Sequence, residues 1–185
     1  MEQTLHIKNM VCDRCKSTVL HELQNLGYVV DSVALGQVKV NANSKMELSK
    51  VEAVLEKHGF ELITDETVNL MEEIKIALIK KIEQQENGNL SSYMAEHFHK
   101  SYSVLSKLFS KTQGMTIEKY EIHLKIEKVK ELIQLGQLNF SEIAYSLEYH
   151  NSGHLARQFK SVTGMSMTEF KNLQQWDRKS IDQIV

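Results

Sequence analysis

The sequence has no proline, which rules out Pro-rich linkers, so glycine and polar residues must mark its internal boundaries. It has only two cysteines, Cys12 and Cys15, which are too few for a disulfide framework and indicate a reducing compartment. No apolar run approaches the roughly 20 residues that cross a bilayer. The first residues also lack the basic and then apolar pattern of a secretory signal. We therefore expect a cytoplasmic protein without a membrane partner.

The composition is that of an ordinary globular protein. The chain has 185 residues, of which 42% are hydrophobic and 25% are charged, enough for two small domains. The net charge of −2 hides an asymmetry: residues 1–88 hold 10 Lys/Arg against 14 Asp/Glu, whereas residues 89–185 hold 12 against 10. A mildly basic second half permits nucleic-acid binding without requiring it.

Strand-like and helix-like patterns alternate through the first 64 residues. Polar-apolar alternation or valine-rich runs predict strands at 4–8, 28–35, 37–42 and 60–63. Apolar residues at helical spacing, followed by a glycine, predict helices at 15–26 and 44–58. The order β-α-β-β-α-β predicts a ferredoxin-like domain.

A further helix is predicted at 65–82, where the apolar positions are Val68, Met71, Ile74, Leu78 and Ile82. The polar run QQENGN follows at 84–89, and we interpret it as a domain boundary. The apolar stripe favours packing within the chain, and a homodimer contact is the alternative. We predict domains at 1–64 and 89–176, a connecting helix and linker at 65–88, and a tail at 177–185.

The second half repeats itself at a spacing of 50 residues. The paired positions are Leu105 and Leu155, Lys107 and Arg157, Phe109 and Phe159, Gly114 and Gly164, and Tyr120 and Phe170. Upstream the offset falls to 49, where Met94-Ala95 matches Ile143-Ala144, and the change lies where a turn between two helices is expected. Each repeat therefore predicts a helix-turn-helix motif, which gives an α+β protein whose second domain is all-α.

Local signals agree with these helices. Asn139 with Glu142, and Ser166 with Glu169, have the spacing of capping boxes at helix starts. Gly114 and Gly164 are predicted to end helices in the left-handed conformation. Residues 116–135 predict a long helix that ends at Gly136 and holds the two motifs at a fixed separation.

Five segments of the second half carry more specific motifs. They are LSSYMAEHF at 90–98, LSKLF at 105–109, KIEKVKELI at 125–133, FSEIAYSL at 140–147 and HLARQFKSVTGMS at 154–166. In order and spacing, residues 89–174 resemble the DNA-binding domain of the AraC/XylS family. Glu148 departs from this pattern at a usual glycine, and Tyr102 and Met167 depart at frequent prolines. The resemblance implies that the chain binds double-stranded DNA and regulates transcription with RNA polymerase.

In a helix-turn-helix motif the second helix enters the major groove, and two such helices would enter successive grooves about 34–36 Å apart. The resemblance implies base-edge positions at Ser103, Ser106, Lys107, Ser152, Gly153, Ala156 and Arg157. It implies phosphate contacts at Ser101, Lys111, His154 and Lys160. Arg157 is predicted to bind a guanine because its planar fork matches two acceptors, and a merely solvated charge is the alternative.

The histidines of the second half are predicted to bind no metal. His150 and His154 have the spacing of two ligands on one helix face, but no further ligand pattern accompanies them. His97 and His99 flank Phe98 and are predicted to lie at the surface.

The cysteines lie in the segment NMVCDRC at 9–15, between the first strand and the first helix, and Gly59-Phe60 precedes the last strand. Residues 3–64 thereby resemble the heavy-metal-associated domain of copper chaperones and metal-pumping ATPases, with departures at Asn9 and Val11. The resemblance implies a site for Cu(I) or another soft ion at Cys12 and Cys15, or for zinc with extra ligands. We interpret Met10 as a core residue and Phe60 as a shield for the loop. The start of a helix is expected to favour a thiolate at Cys15.

Three roles remain open for the cysteine pair: metal sensing, a thiol–disulfide switch, and a scaffold whose thiols have no task. We predict a transcription regulator in which a ligand bound to the domain at 1–64 changes how that domain packs on the helix at 65–86. The alternative is a metal chaperone whose helical domain recruits a protein partner. No nucleophile–base pair or phosphate-binding loop has a diagnostic spacing, so we expect no enzyme.

Overall fold

The computed structural model describes residues 2–41, 46–86 and 88–173, and its contacts divide the chain into two units, Met1–Ala77 and Leu78–Val185. The predicted tail at 177–185 lies outside the described residues. The α+β class is confirmed, because the first unit holds a sheet with helices and the second is helical. None of the described helices combines the length and the hydropathy that crossing a bilayer requires.

The first unit contains a four-stranded antiparallel sheet with two helices between its strands. Its elements are β1 (Glu2–Lys8), α1 (Asp13–Asn25), β2 (Val29–Ala34), β3 (Gln37–Asn41), α2 (Leu48–Glu56) and β4 (Glu61–Ile63). The strands lie in the order β2-β3-β1-β4, and every neighbouring pair is antiparallel. This is the ferredoxin-like arrangement that the sequence predicts.

Both helices of this unit begin at other residues than predicted. Helix α1 begins two residues earlier, because Cys12 takes the extended N-cap conformation and Asp13 places a carboxylate in the first turn, where the helix dipole stabilises it. Helix α2 begins at Leu48 rather than 44, after Glu47 as its N-cap residue, and residues 42–45 are outside the described part.

The core of the first unit is built from alternate strand positions and one face of each helix. Strand β1 buries Leu5 and Ile7, and the remaining members of the cluster come from α1, β3, α2 and the loops. Met10 belongs to this cluster and is 1% exposed, which confirms its interpretation as a core residue.

Helix α3 spans Glu66–Glu83 and confirms the helix predicted after the first domain. Its predicted apolar positions Met71, Ile74, Leu78 and Ile82 are buried, which confirms packing within the chain. The residues of α3 up to Ala77 belong to the first unit, and those from Leu78 belong to the second. The predicted boundaries at 64 and 88 stay predictions.

The turn between β2 and β3 requires glycine for two reasons. Gly36 has φ +72°, and a Cβ atom there would lie 2.3 Å from Cδ1 of Ile76 on α3. We expect Gly36→Ala to lower the free energy of unfolding by about 2–3 kcal/mol, of which about 1–2 kcal/mol is the left-handed backbone cost and the rest is the displacement of the Ile76 side chain. Chemical unfolding of the full chain, followed by circular dichroism, measures this loss.

Gly27→Ala is the matched control for this substitution. Gly27 has φ +84° and nothing within 4 Å of a built Cβ, so it reports the backbone cost alone. An equal loss in the two variants would show that the approach of Ile76 contributes nothing.

After the end of α3, the described part of the second unit contains six helices in two repeats. They are α4 (Leu90–Phe98), α5 (Tyr102–Gln113), α6 (Ile117–Leu135), α7 (Phe140–Ser146), α8 (Ser152–Thr163) and α9 (Met167–Lys171). The capping boxes at Asn139 and Ser166 are both present. Gly114, Gly136 and Gly164 end α5, α6 and α8, as predicted, and all three have positive φ, which was predicted for Gly114 and Gly164.

Candidate nucleic-acid interface

The two repeats bury the same side chains in the same way. Leu105 and Phe109 of α5 are fully buried, as are Leu155 and Phe159 of α8. Phe109 meets Tyr120 edge to face at 5.7 Å between ring centroids, and Phe159 meets Phe170 likewise at 5.6 Å. The helix-turn-helix repeat inferred from the spacing is therefore confirmed in three dimensions.

The exposed side chains of the two repeats follow the same register. Residues 101–120 and 151–170 have the same class of exposure at all but two paired positions, 110 with 160 and 116 with 166. Hence α5 and α8 each present an equivalent outer face to solvent.

The eleven positions predicted to contact DNA lie outside the core. The exposed ones are Ser101, Ser103, Lys107, Lys111, Gly153, His154, Arg157 and Lys160, and the half-buried ones are Ser106, Ser152 and Ala156. They begin at the N-cap residue Ser101 and at the first residue of α8, and they continue along the outer faces of both helices. Which of them meet bases and which meet phosphates stays a prediction.

Charge on these faces is of one sign. Residues 97–117 and 149–168 contain no Asp or Glu, but they carry Lys100, Lys107 and Lys111 in the first stretch and Arg157 and Lys160 in the second. Among the described residues, no carboxylate lies within 4.0 Å of the cations of Lys107, Lys111 or Arg157. Nε of Arg157 is instead 3.4 Å from the backbone oxygen of Gly153 on its own helix. Such a face suits a polyanion, since phosphate contacts need cations that no internal carboxylate occupies.

Sequence reasoning missed Val104 on this face. Its side chain is 55% exposed in the first turn of α5. The spacing of 50 would have found it, because Val104 is the counterpart of His154, which was predicted. An exposed methyl pair beside Ser103 offers the apolar contact that a thymine methyl accepts.

The two unusual residues at frequent proline positions each have a structural contact. The hydroxyl of Tyr102 donates a hydrogen bond to the carboxylate of Glu118 on α6, which ties the start of α5 to the next helix. Burial and this bond together raise the pKa of Tyr102 above its usual range. Met167 is 5% exposed and contributes its side chain to the core.

Glu148 lies in the turn between α7 and α8 with φ +62°, the conformation that explains the glycine usual there. Its carboxylate accepts hydrogen bonds of 3.2 Å from Nζ of Lys81 and from the backbone N–H of Gly88, and Nζ of Lys125 is 3.8 Å away. Burial opposes ionisation of Glu148, but these partners outweigh it and lower the pKa of the carboxyl group. The turn is therefore held by an ionic contact that compensates the strained backbone.

We expect the second unit to lose stability as the pH falls below the ordinary carboxylate range of about 4. A lowered folded-state pKa stabilises the protein above the unfolded pKa, and this contribution is lost as the pH falls through the folded value. Glu118 and Glu148 both have lowered pKa values, so both contribute in this direction. Glu148→Gln should lower stability at neutral pH and flatten its pH dependence, measured by chemical unfolding at a series of pH values. An unchanged slope in this variant would contradict the assignment.

The structure does not place His150 and His154 on one helix face. His150 precedes α8, so it does not share a helix face with His154, as the pairing by spacing would need. Within 2–41, 46–86 and 88–173, no group of three His, Cys, Asp or Glu side chains could hold a metal ion. His97 and His99 are exposed, as predicted.

The cysteines meet at the start of α1. Cys12 is exposed, Cys15 is half-buried, and their Sγ atoms are 3.0 Å apart. Burial and the hydrogen bond to Cys12 raise the pKa of the Cys15 thiol, against lowering contacts from the backbone of Val11 and Cys12. Burial and the second thiol therefore oppose the thiolate that the helix start was expected to favour at Cys15.

The departure at Asn9 is accommodated by the same left-handed backbone that favours glycine. Asn9 has φ +68°, a conformation that asparagine tolerates better than most residues, and its side-chain amide donates to the backbone oxygen of Gly59 at 3.0 Å. Phe60 follows this contact and is buried in the cluster against which Cys15 packs, which agrees with a role in shielding the loop.

Comparison with known proteins gives a match to a family model and matches to curated proteins. The model of a family described as a helix-turn-helix domain matches residues 94–173. An Escherichia coli protein named as the uncharacterized HTH-type transcriptional regulator YijO is 30% identical over 78 residues, which are 42% of this chain and 28% of that protein. The Msm operon regulatory protein of Streptococcus mutans is 26% identical over 95 residues, 50% of this chain and 34% of that protein. No solved structure matches the chain.

The chain thus spans about a third of the length of the curated relatives it matches. The matched family model begins at residue 94, so the resemblance of the first unit to heavy-metal-associated domains stays a prediction. Residues 94–173, whose two helix-turn-helix motifs have the same internal packing, form a helix-turn-helix domain, and the matched relatives support its resemblance to AraC-type regulators.

Proposed function

We propose that the chain is a transcriptional regulator that binds duplex DNA with the outer faces of α5 and α8. The observation that carries this proposal is the pair of equivalent acid-free faces whose cations Lys107, Lys111 and Arg157 have no carboxylate partner among the described residues. We further propose that it acts in the cytoplasm together with RNA polymerase, and that the division into 1–64, 65–88 and 89–176 reflects these tasks.

The outer faces of α5 and α8 would contact DNA in two successive major grooves. Helix α6 has 19 residues and is about 28 Å long, which suits a rod that presents two helices to grooves about 34–36 Å apart. Arg157 would bind a guanine edge, and Lys107 would be its counterpart in the first motif. Serine hydroxyls and the small residues Gly153 and Ala156 would allow close approach to the bases. Ser101, Lys111, His154 and Lys160 would fix the register on the phosphates.

Selection of bound sequences from a random duplex library tests this proposal. The full chain should enrich one sequence with two half-sites about one helical turn apart, and its affinity should fall steeply as salt rises. The paired variant Lys107→Gln/Arg157→Gln should lose this enrichment, whereas Lys57→Gln, an exposed lysine in the first unit, should keep it. Absence of duplex binding at low salt would overturn the proposal and favour the metal chaperone that recruits a protein partner.

We also propose that the thiols of Cys12 and Cys15 bind a soft ion that controls the regulator. Two neighbouring thiols are the soft ligand pair that Cu(I) selects, and their sulfur atoms, which lie 3.0 Å apart, would have to separate to hold the ion between them. Zinc fits less well, because no third ligand lies with them among the described residues. The ion would supply the cross-link between the two sulfurs, and the chain supplies the exposed Cys12 as the point of entry.

Two measurements separate the roles of this pair. Competition for Cu(I) against a coloured chelator, under reducing conditions, should show one ion per chain that the variant Cys12→Ser/Cys15→Ser does not bind. Gel shifts of the selected duplex should then differ with and without Cu(I) in the parent only. A response to a thiol oxidant alone would favour the disulfide switch, and no response to either would leave the thiols a scaffold and remove the sensor claim.

A further inference from the structure

Lys81 is one of three charged side chains that are buried in the described part of the chain. Its Nζ is 3.2 Å from the Glu148 carboxylate and 3.9 Å from that of Glu121, and only 3% of its side chain is exposed. Lys125 completes the cluster, at 3.5 Å from Glu121 and 3.8 Å from Glu148. A buried lysine needs such partners, since an uncompensated charge in this position would be costly.

The cluster leaves little room for a ligand. The cavity bordered by Lys81, Lys125 and Glu148 has a volume of about 10 Å³, which is at most the room of one water molecule. Its charges therefore serve the protein itself. They join α3 and the segment after it to the turn that precedes α8.

The first motif lacks this arrangement. His99 occupies the equivalent turn position with φ +50°, but no described residue forms a hydrogen bond or ion pair with its side chain. The two motifs are thus alike in their cores and outer faces and differ in what holds the turn.

The turn of the second motif also touches α8. The hydroxyl of Tyr149 donates a hydrogen bond of 2.5 Å to Oε1 of Gln158, and its ring meets the ring of His154 edge to face at 5.5 Å. Nζ of Lys125 lies 6.0 Å from the centre of the same ring. Glu148 and Tyr149 are neighbours in sequence, so a displacement of one displaces the contact of the other with α8.

We propose that residues 78–88 are a working part of the DNA-binding unit, in which Lys81 and the backbone of Gly88 hold Glu148 and thereby position the second recognition helix. Lys81 and Glu148 are positioning residues, since neither belongs to the outer face of α5 or α8. This inference rests on the proposed DNA binding by those faces. It extends the unit upstream of residue 94, where the matched domain model begins, in agreement with a compact unit that begins at Leu78.

The test uses the full chain and its selected duplex, with every base pair of the two half-sites substituted in turn. Glu148→Gln and Lys81→Met should each lower affinity about five- to tenfold and weaken discrimination at the half-site read by α8. Discrimination at the half-site read by α5 should stay unchanged. The double variant should lose little more than either single one, because the two changes break the same contact.

His99→Gly and Glu148→Gly form the matched comparison. Both replace a left-handed residue by the glycine that the backbone favours, but only Glu148→Gly also removes the ionic contact. We expect His99→Gly to bind like the parent and Glu148→Gly to bind like Glu148→Gln. Circular dichroism confirms that each variant is folded at the temperature of the binding assay.

Three outcomes are decisive against the inference. Folded Glu148→Gln with the affinity and base profile of the parent would show that the contact has only a structural role. An equal loss at both half-sites would show that it does not act on α8 in particular. If the unsubstituted chain does not bind duplex DNA, the proposed function is overturned, and this inference with it. This outcome is recognised before any variant is measured, which distinguishes it from the other two.

Discussion

Arg157→Ala is expected to weaken binding of the selected duplex by about 1–3 kcal/mol, or roughly five- to 150-fold. The guanidinium is exposed on α8 and has no carboxylate partner among the described residues, so binding to a guanine edge costs no internal ion pair. Loss of a bidentate base contact should also relax the preference at one base position, because guanine then loses the two hydrogen bonds that distinguished it from the other bases. Affinities for duplexes substituted at each position measure both effects.

Lys160→Ala is the control for this experiment. Lys160 is exposed on the same helix, one residue after Phe159, and is predicted to meet phosphate. Its removal should weaken binding about equally on every sequence and reduce the salt dependence by about one released ion. The same uniform loss in Arg157→Ala would assign Arg157 to the phosphates or to a solvated charge.

Phe159→Ala is expected to lower the free energy of unfolding of the second unit by about 3–5 kcal/mol and to abolish DNA binding. Phe159 is fully buried, and its ring packs edge to face on Phe170 of α9. Truncation leaves a cavity beneath the recognition helix and removes an aromatic pair. Chemical unfolding followed by circular dichroism, together with a gel shift, measures both losses.

Two further substitutions frame that result. Phe109→Ala should cost a similar amount, because Phe109 is equally buried and pairs with Tyr120 in the first motif. Val162→Ala, on the same helix as Phe159 but 37% exposed, should change stability by only about 0.5 kcal/mol. A loss below about 1 kcal/mol in Phe159→Ala would contradict the assignment of this residue to the core.

Most of the fold could be predicted from local patterns. The repeat spacing of 50 located α5 and α8, because a duplicated unit preserves its buried positions and thus marks them twice. The capping boxes at Asn139 and Ser166 were predictable because each needs only two residues at a fixed separation. Apolar periodicity also predicted α3, since the buried face of an 18-residue helix repeats often enough to be recognised in the sequence.

The remaining features depend on contacts between residues distant in sequence. Nothing in the pattern around Glu148 indicates Lys81, which lies 67 residues upstream, so the departure from glycine could be seen but its partner could not. The pKa of Cys15 was expected to be lowered by the helix start alone. Its burial, which reverses the direction, depends on how the loop packs on the cluster that includes Phe60. The exposure of Val104 could not be predicted from its residue type, because an apolar side chain on a helix can face either the core or solvent.

The matching exposure of 101–120 and 151–170 separates the residues that maintain the fold from those that meet a ligand. Because the two motifs have their buried residues at equivalent positions, the exposed residues of one motif can be exchanged for those of the other without repacking either core. If the two faces bind DNA as proposed, substitutions in one motif could change the preferred sequence of one half-site while the unaltered motif continues to bind the other. The duplicated motif therefore allows DNA sequence specificity to change stepwise, one motif at a time.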